Sequence, residues 1–172
     1  MPSLDSPVTV RRRRAKDLPG CVRALEVVHA TNAYPMWWPA DPTGWLSPAG
    51  LAAAWVAELA GVVVGHVCLV RGVEDPLVTS LTGAHRDQLA TVSRLFVAPE
   101  ARGRGLAASL LAAATAHASA QGLELMLDVV DDGGPAVALY ERLGWRLVDR
   151  RLTDWITPSG GRLPMRVYLA PS

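Results

Sequence analysis

The sequence predicts a single α/β domain, and three observations predict it. Strand-like apolar runs alternate with helical patterns in the order β-α-loop-β-β-β-α-β-α-β-β. Half of the 172 residues are hydrophobic and 19% are charged, enough apolar material for one sizeable core and too much for a disordered chain. Near the middle, a strand pattern passes Pro99 into Arg102-Gly103-Arg104-Gly105 and then directly into an Ala/Leu-rich helix. The domain is expected to span 1–172 with a core from about Val8 to Leu169, and no internal repeat or second domain is visible.

Val8 to Arg14 reads as a first strand with a charged end. The run Arg11 to Arg14 is either a solvated strand end or an interaction tail. Asp17 is placed to cap a helix reaching about Asn32, with Pro19 in its first turn. Leu18, Cys21, Val22, Leu25, Val28 and His29 keep helical spacing along it. From Ala33 to Gly50 prolines recur at 35, 39, 42 and 48, which forbids a long helix and predicts an ordered loop with a short helical turn. Ala54 to Leu59 and Val62 to Val70 read as strands around a tight turn at Ala60-Gly61. Arg71 to Leu89 reads as an extended loop, and Thr91 to Val97 as the next strand. A helix from Leu106 to Ala120 ends at Gly122, and Leu123 to Val130 is a buried strand. Pro135 opens a further helix that Gly144 closes. Arg146 to Trp155 and Met165 to Leu169 then pair as a hairpin.

Composition narrows the function classes. A formal net charge of +1 argues against a nucleic-acid binder, which carries a strongly basic face. Cys21 and Cys68 read as free, buried thiols in a reducing compartment. His29, His66, His85 and His117 are scattered and no CxxC spacing occurs, so no metal site is expected. No apolar run reaches the roughly 18 residues of a membrane span, and the amino terminus lacks the order of a signal peptide. The expectation is a cytoplasmic protein without a membrane partner. Of its 17 Lys and Arg residues only Lys16 is a lysine, a bias suggesting a GC-rich, bacterial genome.

The glycine-rich segment carries the chemistry. Glycines at 103 and 105 let a ligand approach the backbone closely, because no Cβ stands in the way. The following helix leaves its first N–H groups without intrahelical partners and with partial positive charge. Together these make a phosphate site, to which Arg102 and Arg104 add charge-assisted donors. Gly103-x-Gly105-x-x-Ala108 also fits a dinucleotide fingerprint, with Asp128 near the distance of its ribose-binding acid. Against that reading, five residues separate the strand from the first glycine, and too little chain follows for repeated βα units.

Two motifs in order carry a more specific resemblance. Arg102-x-x-Gly105-x-Ala107, preceded by Leu95-Phe96-Val97-x-Pro99, is similar to the R/Q-x-x-G-x-G/A signature of the GNAT N-acetyltransferase family. Ala136-x-x-Leu139-Tyr140-x-x-x-Gly144-Trp145 resembles that family's second signature, with Trp in place of Phe. The resemblance implies a GNAT-like α/β fold: a mixed, mostly antiparallel central sheet with splayed central strands, flanked by helices. It implies acetyl-CoA as co-substrate, lying in the V between those strands, and no metal. The pantetheine amides would pair with the backbone of Leu95, Phe96 and Val97. The pyrophosphate would sit on N–H groups of Arg102, Gly103, Arg104, Gly105, Leu106 and Ala107.

The same resemblance implies acetyl transfer by direct attack of a primary amine, with Tyr140 protonating the departing thiolate and a backbone N–H of Phe96 or Val97 polarising the carbonyl. The glutamate that many relatives carry on the central strand is missing, since this chain has Thr91, Val92, Ser93 and Arg94 there. His66, Asp128, a water chain or an amine arriving neutral stay open as the base. Gly133 stands where the second signature often has an asparagine that contacts pantetheine. Acceptor choice falls to the loop carrying Tyr34, Trp37, Trp38 and Asp41, through cation–π contacts and a carboxylate, and to Asp154 and Trp155 on the last hairpin. The tryptophans could instead bury themselves as the loop's own core. The acceptor is a small-molecule or peptide amine, and a homodimer is compatible with the family. A non-catalytic acyl-CoA sensor or interaction module on the same fold is the alternative.

Overall fold

The structure is a computed structural model that describes residue 3 and residues 5–172. The chain divides into two compact units, Met1–Arg71 with Val92–His117, and Gly72–Thr91 with Ala118–Ser172.

In the first unit, strands β1 (Val8–Arg12), β2 (Leu51–Leu59), β3 (Val62–Arg71) and the later part of β4 (Leu89–Val97) follow one another in sheet order. β1 pairs antiparallel with β2 from Val8↔Leu59 to Arg12↔Trp55. β2 pairs antiparallel with β3 from Leu51↔Val70 to Leu59↔Val62. Their turn places Ala60 and Gly61 both in the left-handed region, φ 51° and 78°, as a two-residue hairpin with right-handed strand twist requires. Helix α1 (Leu18–Asn32) buries Cys21, Ala24, Leu25 and Val28 against Leu46, Val56 and Phe96. The proline-rich loop contains one helical turn, α2 (Pro42–Trp45), as its composition predicts. Gly65 in β3 is a position of close approach. A Cβ there would stand 3.2 Å from Ala57 Cβ, Leu110 Cδ1 and the Phe96 carbonyl oxygen.

The arginine run is a strand end that is solvated only in part: Arg12 and Arg14 are exposed, whereas Arg11 and Arg13 are half-buried. Arg11 donates to both carboxylate oxygens of Asp17 at 2.8 Å and to Glu58 at 2.5 Å, while Arg12 lies 5.2 Å over the Trp55 ring. Arg11 holds the Asp17 carboxyl down at about 2. Asp17 stands at the N-cap of α1 as its sequence position predicts, but its side chain makes no cap bond to the helix and accepts instead from the Arg14 N–H, bracing the turn before α1.

The second unit contains α3 (Pro76–Thr82), the first residues of β4, β5 (Glu124–Val130), α5 (Pro135–Arg142), β6 (Arg146–Leu152) and β7 (Pro164–Leu169). Its strand order is β4-β5-β7-β6. β4 pairs parallel with β5 over Leu89↔Glu124 to Thr91↔Met126. β7 runs antiparallel to both β5 and β6, pairing Leu169 with Met126 and Arg146. Val78, Leu89, Met126, Val167 and Leu169 form its core cluster. The molecule is thus an α/β protein with a seven-stranded mixed sheet flanked by helices.

Two local features depart from the sequence reading. The segment 71–89, expected as extended loop, holds α3: Asp75 accepts from Leu77 and Val78 N–H at 3.1 Å, Pro76 opens the helix and left-handed Gly83 ends it. Within β4, Arg94 takes φ 55°, a left-handed residue inside a strand. Helix α4 (Leu106–Ala120) begins in the first unit and ends in the second.

Candidate active site

β4 hands over to the glycine-rich loop through a short 3-10 turn, Pro99–Ala101, after Ala98 N–H donates to the Val64 carbonyl at 2.7 Å. Gly103 and Gly105 then adopt φ 79° and 73°, a backbone that side-chain-bearing residues disfavour. A Cβ built at either glycine would meet no atom within 4 Å, so this stretch of backbone faces open space. Ser109 N–H bonds the Gly105 carbonyl at 3.0 Å as the first helical bond of α4. The amides of Leu106 and Ala107 therefore lie at the positive end of the helix, ahead of its ladder.

Both arginines make contacts within the protein. Arg102 Nε donates to the Val97 carbonyl at 3.2 Å and Nη2 to Asn32 Oδ1 at 2.6 Å, bracing the loop against the ends of β4 and α1. Arg104 Nη1 donates to the Ser3 carbonyl at 3.2 Å. An anion at the loop would meet main-chain amides and the remaining N–H donors of the exposed Arg102 guanidinium. The strand residues turn their side chains inward: Phe96 packs into the α1 core and Val97 is buried, while Leu95 is half-buried, so their backbone is what they can present.

Tyr140 lies in the last turn of α5, in the second unit, with 6% of its surface exposed. Its ring packs between Trp145 (centroids 6.0 Å) and Tyr168 (5.9 Å). The neighbouring Glu141 accepts from Tyr168 Oη at 2.9 Å and from Arg166 Nη1 at 3.0 Å, and Arg166 Nε reaches Asp131 at 2.8 Å. This chain of charges fixes α5 on β7 and thereby the tyrosine ring.

The two side chains among the open base candidates separate cleanly. His66 is fully buried with both ring nitrogens bonded: Nδ1 to the Arg94 carbonyl at 2.8 Å and Nε2 to Arg13 Nη1 at 2.9 Å. A guanidinium only donates, so Nε2 is the acceptor and the ring is neutral. Burial holds its pKa down at about 4. Its lone pair is already spent. Asp128 has no hydrogen-bond or ion-pair partner among the described residues. Although the residue keeps exposed surface, lost solvation around its carboxyl raises the pKa. Arg151 opposes the rise, while Asp154 and Asp75 add to it.

In the proline-rich loop, Trp37 is 59% exposed, and Tyr34, Met36 and Trp38 are exposed beside it. His29 Nδ1 lies 2.7 Å from the Pro35 carbonyl, and its ring stacks obliquely on Trp38 at 5.3 Å. Only Trp45 of the three tryptophans is drawn inward, packed against the α1 cluster. The Asp41 carboxylate is the cap of α2, accepting from Gly44 N–H at 3.0 Å. Trp155 and Ile156 are exposed on the β6–β7 connection, held by Thr153 Oγ1 donating to the Trp155 carbonyl.

Residues 22–145 match the family model described as the acetyltransferase (GNAT) family. The chain belongs to that family. Solved GNAT structures share its fold across nearly its full length. The ribosomal-protein-S18-alanine N-acetyltransferase from Escherichia coli superposes with a TM-score of 0.70 at 20% identity, covering 96% of this chain and 94% of that one. Arabidopsis thaliana NAA60 in complex with acetyl-CoA gives 0.75 at 17% identity over 95% and 97%. The yncA acetyltransferase from Salmonella typhimurium, with its cofactor acetyl-CoA, gives 0.69 at 18% over 94% and 92%. No curated protein matches the sequence. The chain is thus an enzyme of the N-acetyltransferase kind.

Within this GNAT chain, the sequence reading missed Arg13, Arg94 and Tyr168. Arg13 sat in a charged run and Tyr168 in an apolar strand, and neither context carries a local signal. Arg94 stands out in the sequence only as one of the residues that take the place of the missing glutamate. Its left-handed backbone has no marker, because such conformations favour Gly or Asn. Among the described residues no group of three His, Cys, Asp or Glu is arranged to hold a metal ion, and no helix is long and apolar enough to cross a membrane.

Proposed function

We propose that this enzyme transfers the acetyl group of acetyl-CoA to a primary amine by direct attack, without an acetylated enzyme intermediate. The observation that carries the reading is the left-handed, glycine-built backbone at Gly103 and Gly105, with open space where a Cβ would stand and just ahead of a helix start, in a chain of the GNAT family. The amides there suit the pyrophosphate, which needs several convergent N–H donors. The backbone of Leu95, Phe96 and Val97 receives the pantetheine arm as an added strand.

In the reaction the amine nitrogen attacks the thioester carbon, and the C–N bond forms as the carbonyl π pair moves to oxygen. A backbone N–H of Phe96 or Val97 stabilises that oxyanion. Collapse breaks the C–S bond, and Tyr140 gives its hydroxyl proton to the sulfur, regaining one from solvent. Asp128 takes the proton that the amine loses. Its unpartnered carboxylate, with a pKa raised by lost solvation, is a stronger base than an ordinary aspartate, whereas the ring of His66 has no lone pair to offer. Tyr34, Trp37 and Trp38 supply exposed aromatic faces for the acceptor. Asp41, committed to its cap, contributes shape more than charge.

Release of coenzyme A across a panel of small-molecule and peptide amines tests the reading. Turnover should appear with at least one acceptor. Tyr140→Phe should lower kcat by about 10²-fold or more while leaving acetyl-CoA affinity nearly intact. Tight acetyl-CoA binding with no turnover on any amine would identify the chain as an acyl-CoA sensor instead.

A further inference from the structure

A strained residue and a buried histidine meet in the first unit, and the mechanism uses neither. Arg94 is held in the left-handed region at φ 55° within β4, a conformation that is costly for a side-chain-bearing residue and persists only where its surroundings enforce it. The enforcing contacts are visible. His66 Nδ1–H donates to the Arg94 carbonyl at 2.8 Å, and Arg13 fixes that tautomer by donating to Nε2 at 2.9 Å. The imidazole is further held by stacking on Phe96, centroids 5.4 Å apart and planes 18° from parallel. On the other side, the Arg94 guanidinium lies 4.2 Å over the Trp45 ring, and its Nε donates to the Trp45 carbonyl at 3.2 Å. Arg13 completes the joint through the Leu46 carbonyl at 2.6 Å and Ser47 Oγ at 2.8 Å.

Immediately after Arg94 come Leu95, Phe96 and Val97. A left-handed residue in a strand re-aims the peptide groups that follow it, as a bulge does. We infer that His66 is a positioning residue: by holding the Arg94 carbonyl it sets the direction in which the Leu95–Val97 backbone meets acetyl-CoA. Trp45, at the end of the aromatic loop, shares the joint, so loop and strand are set together. The inference rests on the proposed pairing of that strand with the pantetheine arm.

Acetyl-CoA titration by calorimetry tests it, with thermal melts confirming that each variant is folded. His66→Gln places its amide where Nε2 stood and leaves no donor at the Nδ1 position, and should weaken acetyl-CoA binding about tenfold, the scale of one enforced backbone strain. Adding Arg94→Gly, which relieves the strain at its source, should restore the dissociation constant to within about threefold of wild type. If His66→Gln does not fold, position 94 alone decides. Arg94→Val and Arg94→Gly both lose the guanidinium, yet the β-branched variant should bind about tenfold more weakly than the glycine one. Equal affinities for that pair, undiminished binding by a folded His66→Gln, or its weakening without rescue by glycine would each overturn the inference. Failure of the wild-type protein to bind acetyl-CoA would instead overturn the proposed function, and this inference with it.

Discussion

At the scale of single residues, the division of labour is between main chain and side chain. Arg102 and Arg104, the most conspicuous charges of the glycine-rich loop, spend donors on Val97, Asn32 and Ser3, while the loop's amides carry no charge to neutralise and suit an anion directly. Gly105 is where that can be tested. Asparagine tolerates a left-handed backbone better than most residues, so Gly105→Asn should reduce acetyl-CoA affinity only modestly. Gly105→Asp adds a charge at nearly the same shape, and calorimetry should show at least about tenfold weaker binding than for the asparagine variant. Equal affinities would remove phosphate from this loop. Asp128 makes a prediction about pH. A general base works ionised, so kcat/KM should fall as pH drops through its raised pKa. The acidic limb should thus lie above the ordinary aspartate range, and a pH–rate profile of Asp128→Asn should lose that limb together with most of the activity.

At the scale of elements, the sequence was most legible where a local rule forces a local structure. Pro135 and Gly144 bracket α5, Ala60-Gly61 makes the β2–β3 turn, and the strand-loop-helix around Gly103 lies where its composition places it. α3 was equally legible in principle. Asp75-Pro76 followed by Gly83 is a helix start and stop, but the intervening Val, Thr and Ser residues are weak helix formers and masked it. Tertiary pairing accounts for what no local pattern shows: the place of β7 between β5 and β6, and the Arg13–His66–Arg94 joint, depend on partners far away in the chain. The α3 cap can be measured directly. Asp75→Ala removes an acceptor for two N–H groups and the partner of Arg151 at 2.9 Å, and should cost about 2 kcal/mol in urea unfolding. Asp75→Asn, which keeps an acceptor oxygen, should recover part of that loss.

At the scale of the whole molecule, both cysteines are walled off. Cys21 on α1 and Cys68 on β3 have no exposed surface, and burial pushes each thiol up to about 11. Both are protonated and out of reach at neutral pH. Alkylation followed by mass spectrometry should find neither modified in the native protein and both modified in denaturant. Rapid native labelling would show that the helix–sheet packing around them opens easily. Two sealed sulfurs also have a practical corollary. A chromogenic disulfide added during turnover meets no competing sulfhydryl on the folded polypeptide, so the colour that develops reports thiol freed from the thioester alone.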